Sequence, residues 1–324
     1  MSCPAECQAA ILSHQGPSLL TVREHVPPEA VLATSNYPNC IGFGEVDVTR
    51  GCEVGCIYCG LRNEGPSVRL GISGLLRENI NSAGIYLSPN CDSFAPGAVE
   101  STHAILERFL PQGIRFLIIT KCAIPRRTIS LLAKYRESVL VKVSLSRLND
   151  DLNSYIEPGA PNAESRLATM RRLSESGVRV GALAMPLFQG IDDLPEKLEP
   201  LVDSFCCARV RFVKAAYLVL RFGESRKDLA ILNRIRQHSV LASSLVLMTE
   251  TIRVQIGEGN VPPLERRRSL YSYLLRICRE RHLDFVACSV LDPPILVQKG
   301  PDVHVCKSIH TFAGRQARCA CVAS

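Results

Sequence analysis

Three cysteines, Cys52, Cys56 and Cys59, stand within eight residues in the segment DVTRGCEVGCIYCG. A C-x3-C-x2-C spacing lets three thiolates wrap one face of a cubane iron–sulfur cluster. A structural zinc site takes four ligands in two knuckles, and no fourth Cys or His adjoins this loop. The pattern leaves one metal position open, which is what a catalytic metal needs. Gly51 and Gly55 give the loop the backbone freedom that a tight turn around a metal demands.

The elements around the loop must hold it still. Phe43–Val48 (FGEVDV), just before it, reads as a strand. Gly84–Ser88 is a short apolar run, and Ile114–Thr120 (IRFLIIT) is continuous enough to be covered on both faces. Val139–Leu145, Val178–Ala184 and Ala208–Val213 are further strand runs. Helical spacing over Val99–Leu110, Pro125–Arg136, Ala163–Ser176 and Asp192–Phe205 falls between them, with Asn162 as an N-cap and Gly177 as a C-terminal stop. Alternating strands and helices imply βαβ units and a parallel sheet. About six units fit, fewer than an eight-stranded barrel. Beyond residue 220 the sequence predicts helices over Glu224–Gln237 and Pro263–Arg281, one more strand over Leu283–Val290, and a tail rich in Pro, Gly and Cys.

Composition excludes some classes. Hydrophobic residues at 46% against 21% charged describe a globular chain and exclude wholesale disorder. The net charge of +7 comes in short groups such as Arg126-Arg127, Arg171-Arg172 and Arg266–Arg268. Such groups permit a polyanion without requiring one. With no Trp and 6% aromatic residues, no base-stacking platform is evident. No apolar run reaches the roughly 18 residues of a membrane span. The segment MSCPAECQAAILSHQG lacks the basic start and apolar core of a signal peptide. The expectation is a cytoplasmic chain with no membrane partner. Its 15 cysteines, an odd number, argue against a complete disulfide framework.

Cys52, Cys56, Tyr58 and Cys59 resemble, position by position, the C-x3-C-x-aromatic-C signature of radical S-adenosylmethionine (SAM) enzymes. The run RGCEVGCIYCGLR is similar to the spore photoproduct lyase-like, or DNA repair photolyase-related, branch. Arg62 matches the branch's arginine, and Gly60 replaces its usual tyrosine. Tyr86–Pro96 (YLSPNCDSFAP) resembles its T-D-P-Y-Q-P turn, with Asp92 at the aspartate. Thr120-Lys121 ends the third strand as in I-L-T-K. Glu157–Pro161 resembles E-P-G-T-P, Arg166-Leu167 the R-L pair, and Ala184–Asp192 the A-P-x-x-P-G-x-x-D run. The likeness covers residues 43 to 220.

The resemblance implies an α/β fold, a partial (β/α)6 barrel of radical SAM type. A wrapping segment of residues 1–42 would precede the barrel at 43–220. A helical, Cys-rich extension at 221–324 would cap the substrate side. It implies a [4Fe–4S] cluster on Cys52, Cys56 and Cys59, with SAM on the open iron. Lys121 would meet the SAM carboxylate, Ser88 and Asn90 its amino group, Ser144 the ribose, and Arg166 the carboxylate from a helix. Tyr58 would pack beside the cluster. Cys91 and Cys122 fall at strand ends, and Cys91 is a candidate hydrogen-atom donor. Cys288, Cys306, Cys319 and Cys321 are candidates for a second cluster, without an established spacing.

The expected partners are a one-electron reductant such as flavodoxin or ferredoxin and a small-molecule or nucleoside substrate. A radical step in natural-product assembly on a nucleoside or sugar-nucleotide, of tunicamycin type, is the leading expectation. Repair of a DNA photoproduct, ribosomal-peptide maturation and a non-enzymatic metal-binding protein stand as alternatives; nucleic acid is not the favoured partner.

Overall fold

The structure is a computed structural model, described here for residues 30, 32–34, 43–59, 67–82, 84–220, 226–250, 254–256, 259–287 and 304–305. Seven strands form a continuous parallel sheet in sequence order. They are β1 (Phe43–Val46), β2 (Gly84–Leu87), β3 (Arg115–Thr120), β4 (Val139–Ser144), β5 (Arg179–Leu187), β6 (Phe212–Tyr217) and β7 (Asp284–Ala287). Ala33–Thr34 pairs antiparallel on the β1 edge, and His304–Val305 pairs parallel on β7. The arrangement is the expected partial barrel. The sheet does not stop at residue 220, because β7 lies parallel against β6.

Helices cover the outer face. α1 (Val99–Phe109), α2 (Arg126–Lys134), α3 (Asp150–Ile156), α4 (Ala163–Glu175) and α5 (Pro195–Cys207) fill the crossovers from β2 to β6. α6 (Arg226–Arg236), α7 (Ser239–Glu250) and α8 (Leu264–Glu280) precede β7. The apolar stripes of α1, α2, α4, α5 and α8 meet the outward side chains of the strands, while those of α3, α6 and α7 pack against Ile57, Phe188, Leu218 and Leu220. Leu106, Phe109, Met170, Phe205 and Ile277 share one core with Ile85, Ile118, Val141, Val180 and Val213. Burial of this kind is the main force holding the sheet, at roughly 25 cal/mol per Å² of apolar surface. The crossover from β1 to β2 contains the cysteine loop and a small hairpin, Thr49–Arg50 with Val68–Arg69.

The local signals hold where they rest on a named atom. Asn162 Oδ1 accepts from Ser165 N at 2.9 Å, and Gly177 has φ +77°. The sixth strand begins at Phe212 instead of Ala208. α5 runs on to Cys207, and the turn Ala208–Arg211 is then spent satisfying its last carbonyls, with Arg209 N on Cys206 O and Val210 N on Phe205 O. α3 and α7 are additional helices that the sequence pattern does not predict. α3 is only seven residues, opened by Asn149, whose side chain accepts from Leu152 N. Cys206 is buried, but Cys207 is exposed and is not core as expected. Among the described residues no helix is long and apolar enough to cross a membrane. The tail cysteines Cys288, Cys306, Cys319 and Cys321 lie outside the described residues.

Gly181 on β5 has a packing reason. A Cβ there would come within 2.2–2.7 Å of the Phe212 ring. Gly181→Ala is expected to destabilise the protein by about 1–3 kcal/mol through overpacking. A lowered urea midpoint at unchanged slope would show it; an unchanged midpoint would mean the ring is free to move.

Candidate active site

The cysteine loop sits at the carboxyl ends of the strands, where α/β barrels place their sites. One cleft of about 170 Å³ is lined by Cys52, Cys56, Tyr58 and Cys59 from the loop, by Tyr86, Ser88, Asn90, Cys91 and Asp92 from the end of β2, and by Ile119, Thr120 and Lys121 from the end of β3. Gly51 and Gly55 both take positive φ, +78° and +61°, as the loop requires. Cys59 N closes a turn on Cys56 O at 3.1 Å. Gly60 and Arg62 lie outside the described residues.

A buried carboxylate holds this loop from the far side of the sequence. Glu157 follows α3 and is 1% exposed. It accepts from Tyr58 Oη at 2.6 Å and from Arg166 Nη1 at 2.5 Å. Lys121 Nζ lies 3.9 Å from the same carboxylate and 6.0 Å from the Tyr58 ring centroid. The backbone follows suit, with Ile57 N on Ile156 O at 2.9 Å and Gly159 N on Val54 O at 2.9 Å. The Glu-Pro-Gly run is thus the bed on which the cysteine loop lies. Gly159 has to be glycine here, since a Cβ would stand 2.3 Å from the Glu53 carbonyl oxygen.

Arg166 sits under the cleft wall instead of in it. It is 1% exposed, with Nε on Pro161 O and Nη1 on Ser144 O as well as on Glu157. Two of its nitrogens are thus spent on holding the residue that positions Tyr58 and Lys121. Ser144 ends β4 and is buried, outside the cleft lining. Asn90 is tied back to Asp47, through its backbone N at 3.0 Å and its Nδ2 at 2.8 Å. Asp92 braces the ends of β2 and β3, accepting from Thr120 Oγ1 at 2.6 Å and Lys121 N at 2.7 Å. Cys91 faces the cleft, while Cys122 is buried outside its lining. Arg147 and Asp192 form a buried two-point pair nearby, at 2.9 and 2.7 Å. Sequence pattern alone gave no sign of that pair or of the Asp47–Asn90 tie, because both join distant loops.

The electrostatics follow from burial. Burial alone would raise the Glu157 pKa, but Lys121, Arg166 and the Tyr58 hydroxyl outweigh it and hold the group below the usual carboxylate range. Burial would lower the Lys121 pKa, and the charges of Cys56, Glu157 and Asp92 raise it instead, so its ammonium is secure. Burial pushes the Cys52 thiol up to about 11 and raises Cys56 as well. Metal loading at these thiols must release protons.

The donor chemistry fits an iron–sulfur cluster. Three thiols share one cleft, and Ser88 Oγ, buried in its wall, has no oxygen or nitrogen partner, only the neighbouring Cys91 sulfur. Ser88 also holds φ +55°, a conformation that costs a non-glycine residue about 1 kcal/mol and marks a constrained turn. Among the described residues no three Cys, His, Asp or Glu side chains are already drawn together as metal donors.

Two outcomes test this wiring. Gly159→Ala is expected to push the cysteine loop off its bed and lower iron incorporation on anaerobic reconstitution; full iron content would show that the loop tolerates the shift. Glu157→Gln should cost about 3 kcal/mol at neutral pH by stranding Arg166. Because the folded-state pKa of Glu157 is depressed, its stabilisation is complete above the unfolded-state value and is lost as pH falls through the folded one. The stability gap between wild type and Glu157→Gln should therefore close in acid; a gap that persists would argue against the charge as its cause.

No model of a known protein family matches the chain. An uncharacterized protein of Acidianus two-tailed virus is 32% identical over 121 residues, 36% of this chain and 40% of the relative. An uncharacterized protein of Mycobacterium tuberculosis is 26% identical over 200 residues, 55% of this chain and 58% of the relative. The chain therefore spans about half the length of these curated relatives. Among solved structures, a spore photoproduct lyase with bound AdoMet and dinucleoside spore photoproduct superposes with a TM-score of 0.61. The two are 14% identical, and the match covers 86% of this chain and 87% of the lyase. SuiB of Streptococcus suis bound to S-adenosylmethionine superposes at 0.52 with 15% identity, over 77% of this chain and 51% of SuiB. Both neighbours are radical SAM enzymes. With its cysteine triplet at the carboxyl end of seven parallel strands, the chain has the partial-barrel fold of the radical SAM enzymes.

Proposed function

We propose that the protein is a radical SAM enzyme acting on a small molecule, a nucleoside or a sugar-nucleotide. The observation that carries this reading is the shared cleft of Cys52, Cys56, Cys59, Ser88 and Lys121 at the mouth of the barrel. The three thiolates would hold a [4Fe–4S] cluster, which when bound would supply the electron for reductive cleavage of SAM and so the 5′-deoxyadenosyl radical chemistry of hydrogen abstraction.

The protein's own work is positioning. Lys121 offers a fixed ammonium to the SAM carboxylate, at a point where Glu157 is already engaged by Tyr58 and Arg166. Ser88 Oγ and the turn through Asn90 accept from the SAM amino group. Ser144 shares the inner face of β4 and serves the ribose through its hydroxyl. Tyr58, held by Glu157 in the lining of the cleft, would pack beside the cluster. Arg166 acts through Glu157 as a positioning residue. Cys91 keeps its proton, since burial pushes its thiol up against the hydrogen bonds of Thr49 and Ser88. A protonated thiol in the cleft is suited to return a hydrogen atom to a substrate radical. A flavodoxin- or ferredoxin-like donor supplies the electron.

A second reading, repair of a DNA photoproduct, is favoured by the likeness to a lyase bound to a dinucleoside photoproduct. Deuterated nucleosides, sugar-nucleotides and photoproduct dinucleotides separate the two. The one whose label arrives in 5′-deoxyadenosine is the substrate class.

The decisive experiment is anaerobic reconstitution followed by dithionite and SAM. 5′-Deoxyadenosine is expected from the wild type and not from Cys52→Ala, Cys56→Ala or Cys59→Ala. A loaded cluster without 5′-deoxyadenosine would overturn the reading. Cys91→Ala should leave 5′-deoxyadenosine formation in place but change product partitioning; identical products would remove Cys91 as the donor.

A further inference from the structure

α6 and α7 form a helical hairpin that lies directly on the cysteine loop. Leu232 and Ile235 of α6 and Leu241 and Leu245 of α7 share a cluster with Ile57, the residue between Cys56 and Tyr58. Arg234 Nε donates to Ile57 O at 3.0 Å. The other side of the hairpin faces water, and it is apolar. Five large hydrophobic side chains are exposed among the described residues, and four of them, Leu229, Val240, Val246 and Leu247, belong to these two helices. Helical geometry groups them. Val240, Ser243 and Leu247 follow the i, i+3, i+7 spacing of one face, away from Leu241 and Leu245. From Ser239 to Thr249 the sequence of α7 carries no charge at all.

The border of this face is basic. Arg236 stands two turns beyond Leu229 on the same side of α6 and is exposed. At the other end Leu247 packs on Gly190, where a Cβ would stand 2.5 Å from its Cδ1. The turn from Gly190 leads to Asp193, which accepts from Gly190 N and from Arg266 Nε and Nη2, the last two at 3.0 and 2.8 Å. Asp193 is 2% exposed and Arg266 40%, so this pair shows water its cationic member. In sequence α6 holds Arg226, Lys227, Arg234 and Arg236 against the single acid Asp228. A contiguous exposed apolar patch marks an interaction site. A charge-poor centre with a basic border is complementary to an acidic protein. A second copy of this chain would instead bring a net charge of +7 against its own +7.

We propose that the outer face of the α6–α7 hairpin is the docking surface for the electron donor, a small acidic one-electron carrier protein. The proposal rests on the radical SAM reading and deepens it by giving that partner a place. A helix with its side chains is about 10–12 Å thick. A carrier seated on the hairpin therefore stands one helix layer from the loop of Cys52, Cys56 and Cys59. Electron tunnelling falls off steeply with distance, and this is a short path. Among the described residues none of the hairpin lines the cleft, so docking leaves the substrate's entrance free. In the step itself one electron leaves the carrier's reduced cofactor and is taken up by the group held on the three cysteines; no atom or proton is transferred. Electron-transfer complexes bury little surface, which suits four apolar side chains and a few border charges.

The test uses reduced flavodoxin, a small acidic carrier, with the reconstituted full-length protein and SAM at low ionic strength. 5′-Deoxyadenosine formation driven by flavodoxin is expected to slow about tenfold in Arg236→Glu and in Val246→Glu, and in the wild type to slow with added salt. Dithionite needs no docking surface, so its rate should be the same in both variants as in the wild type. Arg171→Glu on α4 makes the same charge change at another exposed site and should match the wild type with either reductant. Equal flavodoxin rates in all four proteins overturn the surface, as does a control that slows as much as Arg236→Glu. Binding is read apart from activity. Oxidised flavodoxin should slow amide hydrogen exchange over residues 226–250 of the wild type, and equally in the Cys52→Ala/Cys56→Ala/Cys59→Ala protein. Absence of that protection overturns the proposal whatever the rates. Self-association lost in Val246→Glu, or flotation with phosphatidylglycerol vesicles, in place of flavodoxin protection gives the face to another occupant and is equally fatal. A wild type that forms no 5′-deoxyadenosine even with dithionite speaks against the enzyme reading, and the exchange result decides the surface by itself.

Discussion

One buried carboxylate organises the mouth of this barrel. Glu157 is taken out of water, and that is tolerable only because Tyr58 and Arg166 donate to it and Lys121 stands close by. Each of these partners belongs to a different part of the site. Tyr58 is in the cysteine loop, Lys121 ends β3, and Arg166 lies on α4 with a second bond to the end of β4. Satisfying one charge therefore fixes three elements at once. The backbone pairs from Ile156 and Gly159 to the loop then convert that electrostatic tie into a definite shape.

The same economy explains the division of roles among the charged groups. Arg166 is buried and shares Glu157's second oxygen, so it neutralises the carboxylate at short range. Lys121 stands farther off, with its Nζ at 3.9 Å, and is itself part of the cleft lining. Asp92 does for the strand ends what Glu157 does for the loop, joining β2 to β3 through neutral donors. Structural and ligand-facing charges are thus kept apart by a few ångströms of hydrogen-bond geometry.

Part of this was legible in the sequence and part was not. Cys52, Cys56 and Cys59 are read from spacing because their chemistry is local. Lys121 is read because a charge ending an apolar strand is conspicuous. Asn162 and Gly177 are read because caps are decided by one or two atoms. Arg166 could not be placed, since helical spacing does not say whether a long side chain turns inward. Lys142 passed as an ordinary member of a buried strand, and Lys214 fell just beyond the expected end of the sixth strand. A strand covered on both faces shows no alternation of polar and apolar residues, so the inner face could not be told from the outer. The shifted start of β6 has the same character, because Ala208–Val210 is β-like in composition but is used to close a helix.

The ties on the cysteine loop also set an order of assembly. Tyr58 waits for a partner 99 residues later in the chain, and Ile57 O accepts from Arg234 Nε, 177 residues on. A ribosome delivers the loop long before either partner. The nascent loop is therefore an exposed set of three thiols with nothing to lie on, and its bed arrives only with β4 and the helices beyond it. Insertion of any metal group before that moment would meet an unformed pocket. A metal group would accordingly meet a formed site only after the chain has folded at least as far as Arg234.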